Sequence, residues 1–284
     1  MSLSQPKTAL VLEGGAIRSA YLAGVLLALW EGGIRHFDLV VGTSAGACCG
    51  ANFIAGTPEK STEILENYLT SKKFVNFLRT PTFKNVVDID FLIDEVCVKL
   101  VPLDLPKIKS SPTKFYISAT DFETGDLVYF NNHDHDLLEA LRASCAMPYF
   151  YRNKALYEGR RYMDGGMTAS VPIEKALEEG ASRIIVVGTR PKGYRKKPAP
   201  LPPWFHRIFY PKSPALGHLF KKRASLYNKS MDLIENPPQG ITITYIAPHT
   251  DLPVSRTTKD RVKVKQAVHM GYEDGRLIDK KVIL

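Results

Sequence analysis

The sequence predicts an α/β protein, a three-layer α/β/α sandwich with a mainly parallel central sheet. Three observations carry that expectation. Short apolar runs closed by glycine recur at "TALVLEGG" (8–15), "FDLVVG" (37–42) and "SRIIVVGT" (182–189), as strands buried on both faces do. Segments of helical period lie between such runs, and strands alternating with helices make parallel sheets. The length, 284 residues, suffices for one domain that buries roughly three quarters of its unfolded surface.

The elements follow in order. "AIRSAYLAGVLLALWEGG" places Leu22, Val25, Leu26 and Leu29 on one helical face before Gly32-Gly33 ends the helix. With the strands on either side it forms a βαβ unit. A helix of small residues runs from Ser44 to Gly56, and Thr57 with Pro58 supplies the next helix with a cap and a first-turn proline. The stretch from Phe74 to Pro112 is ambiguous and is taken as short helices. "KFYISATDFETGDLVYF" alternates about a turn at Glu123 to Gly125, two strands of a hairpin. "DLLEALRASCAM" is helical up to Pro148, "GRRYMDGG" is a strand meeting glycines, and "PIEKALEEG" is a helix. "ITITYIAP" (241–248) and "TKDRVKVKQAVHMGYEDGR" add a strand and a closing helix. The expected organisation is a single domain over 1–284, with a basic, proline-rich insertion at about 190–229 and a C-terminal strand–helix extension at 240–284.

Composition, at 44% apolar and 24% charged, is that of an ordinary globular protein. The net charge of +9 is unevenly spread: Arg190 to Lys229 holds eleven Lys or Arg, seven prolines and no acid. No run approaches ~18 apolar residues, so no spanning helix is expected. The N-terminus lacks the basic and apolar regions of a signal peptide. Cys48, Cys49, Cys97 and Cys145 lack metal-site spacing and are taken as reduced, buried small hydrophobes of a cytoplasmic protein. Within the basic segment, Trp204, Phe205, Ile208, Phe209 and Tyr210 lie between clusters of lysine and arginine. Two readings stay open there: a solvated, partly disordered excursion with short helices, or an interfacial segment that settles on an anionic membrane. No recognisable module for nucleic acid accompanies the patch, and no nucleic-acid partner is expected. Nothing in the sequence fixes an oligomeric state.

Three glycine-flanked strand ends carry the chemistry. In "GTSAG", Gly42 and Gly46 remove the side chains that would clash on a sharp turn, so Ser44 can project its hydroxyl at the start of a helix. In "EGGAIRS", Gly14 and Gly15 open a helix directly after a strand, where backbone amides converge on an oxyanion or a phosphate. The pattern is neither G-x-G-x-x-G nor a Walker loop. "YMDGGMTASVP" places Asp164 before Gly165 and Gly166, on what is expected to be the same sheet edge. A free serine needs a base. His206, His218, His249 and His269 have no catalytic neighbourhood in sequence, and Asp164 is the better candidate.

"LVLEGGAIRSAYLAGVL", "GTSAG" and "DGG", in this order and at these intervals, resemble the patatin-like phospholipase family over roughly residues 8–190. "GTRPKGYRKKP" and the closing helix are similar to a bacterial branch of it. The resemblance implies a Ser-Asp dyad hydrolase of lipid esters on an α/β/α sandwich, with neither metal nor organic cofactor. Carried across, Ser44 is the nucleophile, Asp164 the base, and the amides of Gly14, Gly15 and Ala16 the oxyanion hole. Arg18 braces the glycine loop, and Gly42, Gly46, Gly165 and Gly166 support the turns. One departure stands out: Ala16 occupies the place of the family's usual third glycine. A positive φ there would cost about 1 kcal/mol or more. The alternatives are a triad esterase of soluble esters using His249 or His269, and a catalytically weak protein that holds acyl chains.

Overall fold

The computed structural model describes residues 6–82, 84–198, 202–211 and 213–282; the first five residues, and residues 199–201 and 212 of the basic segment, lie outside them. Eight strands form one sheet: β1 (Thr8–Leu12), β2 (Leu39–Thr43), β3 (Lys114–Asp121), β4 (Leu127–Asn131), β5 (Ala155–Tyr157), β6 (Arg160–Asp164), β7 (Arg183–Val187) and β8 (Thr242–Ile246). Their order is β5-β6-β3-β2-β1-β7-β8, with β4 also paired to β3. The β3-β2-β1-β7-β8 portion is parallel, as the alternation of strands and helices predicts. The short β5 has no counterpart in the sequence reading.

Alternate residues of the strands feed two cores. Leu10, Leu12 and Val40 face helices α1 (Ser19–Glu31) and α2 (Ala45–Ile54). Ala9, Val11, Leu39 and Val41 face the opposite layer. Thr57 stands at the start of α3 (Pro58–Glu63), but its side chain does not cap that helix; Thr57 Oγ1 donates instead to the Asn52 carbonyl at 3.4 Å. Between Phe74 and Pro112 lie a 3-10 turn (Phe77–Thr82), a wide π-helical stretch (Phe91–Leu100) and α4 (Leu105–Lys109). Then come α5 (Leu137–Cys145) and α6 (Ile173–Glu178).

The basic segment is not the excursion of short helices that its composition suggests. After α7 (Pro203–Phe209), helix α8 runs 22 residues, Pro214–Glu235. Tyr227, Met231 and Ile234, at helical spacing, bury against Val11, Val41, Ile173 and Ala176 and cover the second face of the sheet. The closing helix α9 (Arg261–Arg276) packs along α1. The two touch backbone to backbone: a Cβ at Gly271 would stand 1.9 Å from the Tyr21 carbonyl oxygen, and one at Gly24 2.0 Å from that of Val268. Gly271→Ala is therefore expected to push the helices apart and to destabilise by about 1–3 kcal/mol, read as a lower urea midpoint.

The arrangement at β3 positions the site. Tyr116–Ser118 pair with both β2 and β4, whereas Ala119 and Thr120 pair with both β4 and β6. A strand has only two edges, so β6 must take the edge that β2 leaves. It runs antiparallel to β3, with Asp164 opposite Ala119 next to the point where Thr43 faces Ser118. The sequence reading placed Asp164 at one of three like strand ends. Instead, β2 and β6 meet end to end from opposite directions.

Candidate active site

Ser44 follows β2 and stands at the N-cap position of α2 with φ 54° and ψ −130°, outside the regions that L-residues favour, and its side chain makes no capping bond. Its neighbours leave the backbone no other room. A Cβ at Gly42 would lie 2.6 Å from Ala47 Cα, and one at Gly46 2.6 Å from the Glu13 carbonyl oxygen. The Ser44 amide donates to Ser144 Oγ at 2.7 Å, which holds the turn from α5. Nothing in "LRASCAM" marks Ser144 for that task.

The Ser44 hydroxyl donates to Asp164 Oδ2 at 2.9 Å, across 120 residues of sequence. The other carboxylate oxygen accepts from the Gly166 amide at 2.6 Å. Gly165 has no space for a side chain, since its Cβ would stand 2.3 Å from the Ser118 carbonyl oxygen. Burial raises the Asp164 carboxyl above its ordinary range; the Gly166 amide, the Ser44 hydroxyl, Arg223 and Arg256 oppose that rise.

The glycine loop lies against this pair: a Cβ at Gly14 would be 3.3 Å from that of Ser44. The Gly14 amide donates to the Ser170 carbonyl at 3.0 Å. That bond removes it from the three amides expected to be open. Gly15 and Ala16 keep amides without an acceptor among the described residues. Ala16 has φ 51°, so the strain anticipated for an alanine here is present. Ala16→Gly is expected to stabilise the protein by about 0.5–1 kcal/mol, seen as a higher urea midpoint.

Arg18 is 6% exposed, yet it makes no side-chain hydrogen bond to the loop among the described residues, and its Nε is unpartnered. It faces other cations. Burial, with Arg256 and Arg190 beside it, pushes its pKa down to about 10. His249 and His269 are exposed and do not line the space around Ser44. His206 is buried, with Tyr149 Oη at 2.6 Å from its Nδ1 and Phe220 stacked on its ring. All four cysteines are free thiols; burial pushes Cys49 and Cys97 up to about 12. No group of three or more His, Cys, Asp or Glu converges as metal ligands would among the described residues.

From Ser44 and Ala16 a narrow cavity of about 50 Å³ leads into the α1–α2 side of the core. Its walls include Cys48, Leu65, Leu92, Val101 and Met147. Ile64–Tyr68 and Phe91–Leu100, which supply part of that wall, are π-helical. Such wide turns recur at functional sites.

A strained serine at the end of a central strand, opening onto an apolar cavity in a sheet covered on both sides, defines a lipid acyl hydrolase. Residues 10–177 match the model of the patatin-like phospholipases, and the chain belongs to that family. Residues 213–278 match a second model, a domain of unknown function called DUF6363. The chain is 31% identical over 249 residues to the uncharacterized protein YjjU of Escherichia coli K12, a match covering 85% of this chain and 68% of that one. It is 32% identical over 169 residues to a mouse omega-hydroxyceramide transacylase, covering 56% of this chain but 27% of the mouse protein. The crystal structure of VipD from Legionella pneumophila shares the fold, with a TM-score of 0.51 at 14% identity over 95% of this chain and 66% of VipD.

Proposed function

We propose that the protein hydrolyses carboxylic esters of lipids through a dyad of Ser44 and Asp164. The observation that carries this reading is the Ser44 hydroxyl donating to a buried carboxylate at 2.9 Å, at the mouth of an apolar cavity. Ser44 Oγ attacks the ester carbonyl as its proton passes to Asp164. The oxyanion that forms is held by the Gly15 and Ala16 amides. Collapse of the tetrahedral intermediate breaks the C–O bond of the ester. The departing alcohol takes the proton from Asp164 and leaves the acyl group on Ser44. Water repeats the sequence: it gives a proton to Asp164, attacks the acyl carbonyl, and releases the fatty acid with Ser44 restored. Burial of Asp164 serves this cycle, because a carboxylate raised above its usual range is a stronger base.

The test is intact-mass spectrometry after incubation with a fluorophosphonate, followed by peptide mapping. A single adduct on Ser44 is the expected result. A wild-type protein that takes no adduct and turns over no ester, yet binds fatty acid, would establish the acyl-chain-binding alternative instead.

Contact with an anionic membrane through the basic segment belongs to the same proposal. Trp204 and Ile208 on α7 are 63% and 64% exposed, whereas Tyr210 turns inward, its hydroxyl accepting from the Tyr149 amide. Deleting residues 198–225 would cut α8 in half and open the second core. Trp204→Ser with Ile208→Ser is the better test. The pair is expected to lower turnover of anionic vesicles about tenfold while sparing a soluble short-chain ester, as followed by fatty-acid release.

A further inference from the structure

A second cavity, of about 590 Å³, carries cations among aromatic and apolar residues in its wall. Five cations that are at least partly buried, Arg18, Arg190, Lys196, Arg223 and Arg256, line it, together with the exposed Lys197. None of the five forms an ion pair with a carboxylate among the described residues. The Nε atoms of Arg18 and Arg190 are buried without a hydrogen-bond partner. Two buried carboxylates, Glu13 and Asp164, lie in the field of four of these cations, Arg18, Lys196, Arg223 and Arg256. Burial together with Arg256 pushes Arg223 down to about 10, and burial together with Arg223 pushes Lys196 well below its usual value. Gathering like charges away from water is costly unless a counter-charge joins them.

The cluster is fixed to the proposed catalytic turn. Arg223 Nε donates to the Gly166 carbonyl at 2.8 Å, and Lys196 Nζ to Ser170 Oγ at 2.8 Å. Arg256 lines both this cavity and the apolar one at Ser44, so the two share a wall. Four of the five cations lie beyond residue 177, where the match to the patatin-like model ends. The cavity is therefore furnished by the C-terminal part of the chain.

We propose that this cavity receives a dianionic phosphate group, carried as a phosphomonoester headgroup by the acyl lipid whose ester reaches Ser44. The inference rests on Ser44 and Asp164 acting on lipid esters, and adds the substrate class. Guanidinium groups pair bidentately with phosphate oxygens, and two negative charges offset most of the excess of three that Glu13 and Asp164 leave among these five cations. A zwitterionic headgroup would bring another cation into the cluster, which disfavours it.

The experiment compares kcat/KM for a lysophosphatidate with that for the lysophosphatidylcholine of the same acyl chain. The wild-type ratio is expected to be about tenfold or more, and Arg190→Gln to shrink it about tenfold, the effect of one charged hydrogen bond. A second arm measures Tm in inorganic phosphate against chloride at equal ionic strength. Phosphate should raise the wild-type Tm. Arg190→Gln should melt higher than wild type without phosphate, because a repulsive charge is gone, and should gain less from phosphate. An arginine with a purely structural role would give a lower Tm on removal. A rise in phosphate without a preference between the two lipids would assign the site to free phosphate and overturn the headgroup. No preference and no rise would overturn the anion site altogether. If phosphate raises Tm but 4-nitrophenyl butyrate and both lipids remain intact, the hydrolase reading fails while the anion site stands.

Discussion

Ser44→Ala is expected to lower turnover of 4-nitrophenyl butyrate by at least about 10⁴-fold and to remove the fluorophosphonate adduct, with an unchanged far-UV spectrum. The expectation rests on which nucleophile meets a base. Cys48 lines the same cavity, but hydrogen bonding to Cys145 and burial raise its thiol well above its usual value, so little thiolate is present to compete. Ser44 alone among the cavity-lining residues donates to a carboxylate. Alanine carries the same backbone strain as serine at φ 54°, so the substitution should leave stability nearly unaltered. An adduct that persists on Cys48 in the variant would reassign the nucleophile.

Asp164→Asn is expected to lower kcat by about 10²–10⁴-fold, the range over which a positioned base acts. The amide preserves an acceptor for the Gly166 N–H, so the turn should survive while proton uptake does not. The pH profile supplies an independent check. Asp164 must be ionised to receive the Ser44 proton, and burial raises the pH at which it ionises. Activity of the wild type should therefore fall as pH is lowered, along a limb lying above the ordinary carboxylate value of about 4. In Asp164→Asn that limb should vanish from the residual rate. A limb that remains would point to another group as the base.

The sequence carries the site in fragments that are local enough to recognise. Glycines at 42 and 46 mark a turn too tight for a side chain, since a Cβ at either would meet backbone at 2.6 Å. "LVLEGG" marks a buried strand ending in a loop. Long-range relations are less visible. The direction of β6 depends on the path the chain takes after α5, and no residue of "GRRYMDGG" encodes it. The Gly14 amide could be assigned only by locating its acceptor on Ser170, 156 residues away in sequence. Helix α8 was legible in principle: Leu216, Tyr227, Met231 and Ile234 fall on one helical face, although seven prolines and a lysine-rich surface disguise it. Arg190, Lys196 and Arg223 of the cationic cavity fall within the basic run, which one of its two readings treats as solvated. Their burial comes from α8 and from the loop before α9, which close over them.

The end-to-end meeting of β2 and β6 ties activity to the history of folding. Serine and carboxylate are carried by strands that share no hydrogen bond and have β3 as their common support. The nearer strand can form with its local βαβ unit, but the carboxylate arrives only after 120 further residues have been placed. Contacts between side chains this far apart in sequence form late. Chains that have collapsed and acquired their helices before β6 docks on β3 are expected to be silent as esterases, so recovery of catalysis in a refolding experiment should report that docking.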